Sequence, residues 1–121
     1  MKILVVDDDP VVLKSCKRVL TEECVQVTLA NSVKEALENL ADKSFSLLLV
    51  DVKMPEEDGL FLMELLREKK IDIPILVMSG YPTEETISRI TALGAGHFIA
   101  KPFTPDELLE AIRKVLEGGT K

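Results

Sequence analysis

The sequence predicts a doubly wound α/β domain built on one parallel sheet, and three observations carry that prediction. First, five short apolar runs of strand length alternate with stretches of helical spacing along the chain. Strict alternation implies parallel pairing through right-handed crossovers, with helices on both sheet faces. Second, the runs differ in character. The first, third and fourth are almost wholly apolar, as strands buried on both faces are, whereas the second alternates Val25, Val27 and Leu29 with Gln26 and Thr28 and reads as an edge. The strand order that fits is 2-1-3-4-5. Third, the 121 residues hold 46% apolar and 30% charged side chains with no long linker, repeat or low-complexity segment. That balance excludes disorder and predicts a single domain over residues 1–121.

Each element has a local reason. Strand one, residues 3–6, runs into Asp7, Asp8 and Asp9. Asp9 caps a helix whose first residue is Pro10, where the missing N–H is no loss. In helix one, Val12, Leu13, Cys16, Val19 and Leu20 share a face, while Lys14, Lys17 and Arg18 point away. After strand two, residues 25–29, Ser32 and Glu35 form a capping box that opens helix two. Strand three, residues 45–50, leads into Asp51, and strand four, residues 75–78, into Ser79 and Gly80. Gly94 is the expected stop of helix four. Strand five, residues 97–100, meets Lys101 and Pro102. Thr104, Pro105 and Glu107 then open helix five with a second box, and Gly118-Gly119 closes it.

Charge and composition remove several functions. Fifteen basic against twenty-one acidic residues give a net charge of −6, and the basic ones are scattered. Direct nucleic-acid binding is not expected. No apolar run approaches a membrane span, and Met1-Lys2 leads straight into strand one, so neither a signal peptide nor an anchor is expected. Two cysteines without a CxxC pair fit a reduced, cytoplasmic setting, with Cys16 a small buried hydrophobe.

Ligands of such sheets bind beyond the carboxyl ends of the strands. There the sequence gathers Asp7, Asp8, Asp9, Asp51, Ser79 and Lys101, residues far apart along the chain. Two carboxylates about 5 Å apart repel by roughly 3 kcal/mol at an effective dielectric of 20. A divalent cation relieves that cost. Hard oxygen ligands without an EF-hand spacing favour Mg2+, completed by waters and a phosphate oxygen. Lys101 supplies a point charge for carboxylates or phosphoryl oxygens, Ser79 a hydroxyl donor, and Gly80 leaves room for an incoming group. Taken singly, these residues read as caps, turn residues and a solvated charge. Their joint placement at strand ends is what points to a site.

At these residues the sequence closely resembles the receiver domain of two-component response regulators, the CheY-like family. The matching segments are 3–9, Asp51 with 52–59, 78–80 and 94–103. The resemblance implies the flavodoxin-like (βα)5 three-layer sandwich. It further implies that Asp51 accepts a phosphoryl group from a phosphohistidine of a sensor histidine kinase or histidine phosphotransfer protein, as a regulatory phosphoacceptor and not an enzyme on a separate substrate. Asp8, Asp51 and the backbone carbonyl of Lys53 would bind Mg2+ directly, with Asp7 acting mainly through metal-bound water. Lys101 and Ser79 would hold the phosphoryl oxygens, and the Lys101-Pro102 bond is expected to be cis. Ser79 and Phe98 would form the switch, changing the surface of helix four, strand five and helix five toward an output domain or partner. Ile87, Phe98, Ala111 and Lys114 are the expected contacts there, homodimerisation on phosphorylation is left open, and His97 is read as exposed. Lys53 and Tyr81 flank the crevice and bear on phosphoryl lifetime.

One rival is a haloacid-dehalogenase-type phosphatase, with Asp7 as nucleophile and Asp9 as acid. It leaves Asp51 without a role and needs a further acidic strand end after Lys101, where only a helix remains. A second is a receiver-shaped interaction module that no longer takes phosphate, which the intact acidic set does not favour.

Overall fold

Apolar strands with no polar face can be stable only when covered on both sides, and helices supply that cover here. The fold is a computed structural model describing residues 1–42, 44–52, 59–80, 83–94 and 97–118. In chain order the elements are β1 (Lys2–Val6), α1 (Pro10–Glu22), β2 (Gln26–Ala30), α2 (Val33–Leu40), β3 (Leu47–Asp51), α3 (Gly59–Glu68), β4 (Ile75–Ser79), α4 (Glu84–Ala92), β5 (Phe98–Ala100) and α5 (Pro105–Gly118). The strands pair in parallel in the order β2-β1-β3-β4-β5, with Val6 opposite Val50 and Asp51 opposite Met78. The predicted order and the edge position of β2 are what the molecule shows.

Alternation along each strand divides the core in two. Leu4, Val6, Leu48, Val50 and Val77 pack beneath α2, α3 and α4, with Leu40, Leu60, Met63, Leu66 and Ile90. Ile3, Val5, Leu47, Leu49, Leu76, Met78 and Ile99 face α1 and α5, meeting Leu13, Cys16, Leu20, Leu108 and Ile112. The apolar stripe read from helix one is buried or half-buried in this second core, and its three basic residues are exposed.

The caps follow the expected chemistry. Asp9 Oδ1 accepts the Val11 N–H at 2.9 Å. Ser32 Oγ accepts from Glu35 N–H at 3.1 Å, while the Glu35 carboxylate takes the Asn31 N–H rather than that of Ser32. Thr104 and Glu107 form the full reciprocal box. Thr83, not among the expected caps, caps α4 by accepting the Thr86 N–H. Gly94 ends α4 with φ of +96°, a conformation that strains any residue carrying a Cβ. Helix α5 runs to Gly118, and Gly119 lies outside the described residues.

The boundaries differ from expectation in an instructive way. β3 and β4 each extend one residue past the apolar run, so Asp51 and Ser79 are the last strand residues rather than the first loop residues. Ladder pairing depends on the backbone and continues under a polar side chain. Phe45 and Ser46, expected in strand three, precede it, with Phe45 half-buried and Lys2 Nζ 4.5 Å from its ring centroid. His97, expected exposed, is half-buried and precedes β5.

Candidate functional site

Backbone pairing carries the acidic residues to one place. The Asp7 N–H donates to Ala30 O, extending the β1–β2 ladder by one bond. Val52 N–H donates to Met78 O, fixing the peptide that follows Asp51, and Lys101 N–H donates to Ser79 O at 2.8 Å. Three strand ends are thus aligned before any side chain is considered. Alternation then sets direction: Asp51 shares the face of Leu47 and Leu49, Asp7 continues that of Ile3 and Val5, and Lys101 continues that of Ile99. All three fall on the α1–α5 side.

Their side chains meet there. Lys101 Nζ donates to Asp7 Oδ2 at 2.7 Å and to Asp51 Oδ2 at 2.9 Å. Asp7 is fully buried, and its other oxygen accepts the Asp9 N–H at 2.9 Å. Asp51 is 7% exposed and Ser79 3%, whereas Asp8 is exposed. Burial alone would lower the Lys101 pKa, but hydrogen bonds and attraction from Asp7 and Asp51 outweigh it and hold the ammonium above the ordinary lysine value. The same field reaches Cys16 below: burial first, then the Asp7 charge, pushes its thiol up to about 11. Cys16 is buried in the core, as expected.

Asp7, Asp8 and Asp51 each bring one carboxylate oxygen within 4.8 Å of the others. Among the described residues, Lys101 brings its ammonium to both Asp7 and Asp51. An ideal Cβ on Gly80 would meet no atom of the described residues within 4 Å. Phe98 is 39% exposed, and with Ala111 and Lys114 it lines a groove of about 610 Å³ between β5 and α5. Ile87 is half-buried on α4. The Lys101-Pro102 bond is cis. Lys53 and Tyr81 lie outside the described residues.

Fold and site together define a doubly wound domain whose acidic crevice, bridged by one lysine, lies where such sheets bind their ligands. The chain belongs to the response regulator receiver domain family, whose pattern matches residues 3–113. It is 41% identical over 118 residues to the response regulator MprA of Mycobacterium leprae, covering 96% of this chain and 51% of that protein. The chain thus spans about half the length of the curated relatives it matches. Among solved structures, a CheY-like receiver domain protein from Methanospirillum hungatei superposes with a TM-score of 0.90 at 32% identity, covering 98% of this chain and 95% of that one. The chemotaxis protein CheY4 of Vibrio cholerae also gives 0.90, at 28% identity, covering 95% and 98%.

Proposed function

We propose that this domain is the phosphoacceptor switch of a two-component phosphorelay and that Asp51 is the residue phosphorylated. The observation that carries the reading is the single ammonium of Lys101 shared between Asp7 and Asp51 at aligned strand ends. A carboxylate oxygen of Asp51 attacks the phosphorus of a phosphohistidine from a sensor kinase or histidine phosphotransfer protein. The O–P bond forms as the N–P bond breaks, and the imidazole leaves with the electron pair. Asp51 needs no general base, because a carboxylate is already ionised at neutral pH.

Phosphoryl transfer asks a protein chiefly for position and for neutralisation of charge on the equatorial oxygens. Lys101 exchanges its carboxylate partners for phosphoryl oxygens, and the Ser79 hydroxyl donates to another. The donor set of Asp7, Asp8 and Asp51 fits a hard divalent cation, Mg2+, reached directly or through its waters, with the Lys53 carbonyl as a further ligand. Bound there, Mg2+ would supply the positive charge that three carboxylates and a phosphoryl group lack.

Switching draws on the same residues. Val77 pairs with Phe98 and Ser79 with Ala100, so the Phe98 ring and the Ser79 hydroxyl share the α4 face of the sheet. Movement of Ser79 toward the phosphoryl group opens space that the outward ring of Phe98 can enter, remodelling the α4, β5 and α5 surface toward an output domain, a partner or a second copy. The domain so read is a single regulatory unit over residues 1–121, acting in the cytoplasm and catalysing only its own phosphoryl transfer and slow autodephosphorylation. The phosphatase reading would need Asp9 as its acid, and Asp9 is engaged as the α1 cap, accepting the Val11 N–H.

Acetyl phosphate with Mg2+ should add one phosphoryl group, seen by intact mass, and Asp51→Asn or a chelator should abolish it. Labelling that survives Asp51→Asn and disappears in Asp7→Asn would overturn the assignment in favour of the phosphatase chemistry.

A further inference from the structure

The first turn of α3 lies against the backbone of Asp51. Gly59 opens that helix and is buried, and an ideal Cβ at this position would stand 2.2 Å from Asp51 O, 3.0 Å from Asp51 C and 3.0 Å from Val50 Cγ2. A separation of 2.2 Å from a backbone oxygen is about 1 Å inside ordinary carbon–oxygen contact, so something fixed has to move. The backbone φ of Gly59 lies outside the left-handed region, unlike that of Gly94. Space, not conformational freedom, is what requires glycine here.

Neither side of this contact yields easily. Asp51 belongs to β3, paired on one flank with β1 and on the other with β4. Helix α3 is seated by Leu60, Leu62, Met63 and Leu66, all at most 3% exposed. Gly59 N–H donates to Val52 O at 2.9 Å, and Val52 N–H donates to Met78 O, so the peptide after Asp51 is held between α3 and β4. We propose that Gly59 is a positioning residue for the phosphoacceptor: its missing side chain lets α3 close onto the Asp51 carbonyl, and that closure fixes the direction in which the Asp51 carboxylate leaves the strand. This rests on the phosphoacceptor reading of Asp51. A misplacement of 1 Å at a reacting group can cost about 100-fold in rate.

The test is the rate of phosphorylation by acetyl phosphate at saturating Mg2+, corrected to the folded fraction at each condition. Gly59→Ala should react 10- to 100-fold more slowly than the wild type. Leu66→Ala loosens the far end of the same helix and should react at the wild-type rate once corrected. A Gly59→Ala rate equal to that of Leu66→Ala overturns the proposal and leaves Asp51 as acceptor untouched. Failure of the wild type to label at all refutes the acceptor reading instead, and this inference with it. Should Gly59→Ala not fold, Leu60→Ala replaces it, since it loosens the first turn without adding an atom. A corrected rate at least threefold below that of Leu66→Ala supports the positioning role, and equal rates overturn it.

Discussion

Replacing Lys101 by methionine keeps the length of the side chain and removes the ammonium that Asp7 and Asp51 share. At an effective dielectric of 20, each contact, at 2.7 and 2.9 Å, is worth about 6 kcal/mol of gross attraction, most of it offset by the cost of desolvating the ions. Without the ammonium, the two carboxylates remain buried and within 4.8 Å of each other, where they repel by about 3.5 kcal/mol at that dielectric. Breaking a buried pair by removing one partner costs about 3–5 kcal/mol, so the two routes agree. In EDTA, Lys101→Met should lose about 3 kcal/mol in urea unfolding followed by circular dichroism, or roughly 10 °C in Tm for a domain of this size. In an Asp51→Asn background the repulsion is absent, and the same substitution should cost about 2 kcal/mol less. Mg2+ should stabilise Lys101→Met more than the wild type, because it replaces the missing charge. A Lys101→Met protein within 1 kcal/mol of wild type in EDTA, or an equal loss in both backgrounds, would show that the ammonium does not hold these carboxylates together.

Three further outcomes follow from the α1 side of the sheet. With Cys24 exposed and the buried Cys16 thiol pushed up to about 11, a disulfide reagent at pH 8 should modify one thiol quickly and the second only on unfolding. Because the folded thiol pKa is raised, its stabilisation is complete below the unfolded value near 9 and is lost as pH climbs toward 11, so Cys16→Ala should flatten the alkaline fall in stability across that window. Equal reactivity of both thiols in the native protein contradicts this. Asp9→Ala should cost about 1 kcal/mol by removing the acceptor of the Val11 N–H, whereas Asp9→Asn should keep the cap and shed a charge beside the acidic cluster, leaving thermal stability at or above that of wild type. Equal losses in the two variants would remove the cap from the account.

Strand order and site membership were legible because both depend on polarity along the strand. The buried strands are apolar up to their carboxyl ends, so the first polar residue after each apolar run marks that end, and Asp7, Asp51, Ser79 and, after the edge strand β5, Lys101 could be found that way. Helix ends were legible only where the cap chemistry is side-chain chemistry or glycine. Helices α1 and α3 end instead on Cys24 and Lys70, non-glycine residues with φ near +60°. There Val25 N–H returns to Leu20 O and Ile71 N–H to Leu66 O, and each pair brings two apolar residues together. Packing carries the strain, and no residue type announces it. The contact of Gly59 with Asp51 was hidden for a related reason: glycine after an acidic segment reads as a turn, and only coordinates show that its Cβ would fall on a carbonyl oxygen.

The parity of the strands bears on how one modified carboxylate could alter a distant surface. Asp51 and Lys101 project toward α1 and α5, but Ser79, one strand position beyond Met78, lies on the α4 face. Of the two groups proposed to hold phosphoryl oxygens, one therefore comes from each face of the sheet. A phosphoryl group on Asp51 would draw on both at the seam where the sheet ends, so its bonds to Lys101 and to Ser79 have different structural consequences. Lys101 already donates to both carboxylates. Ser79 shares its face with Val77 and Phe98, beneath a helix whose one fully buried side chain is Ile90. Displacement of a small hydroxyl beneath α4, which buries Ile90 alone, would meet less packed helix than displacement against α5, which buries Leu108, Ile112 and Val115. That difference between the two helices, together with the placement of Ser79, would direct a response to phosphorylation toward α4 and β5.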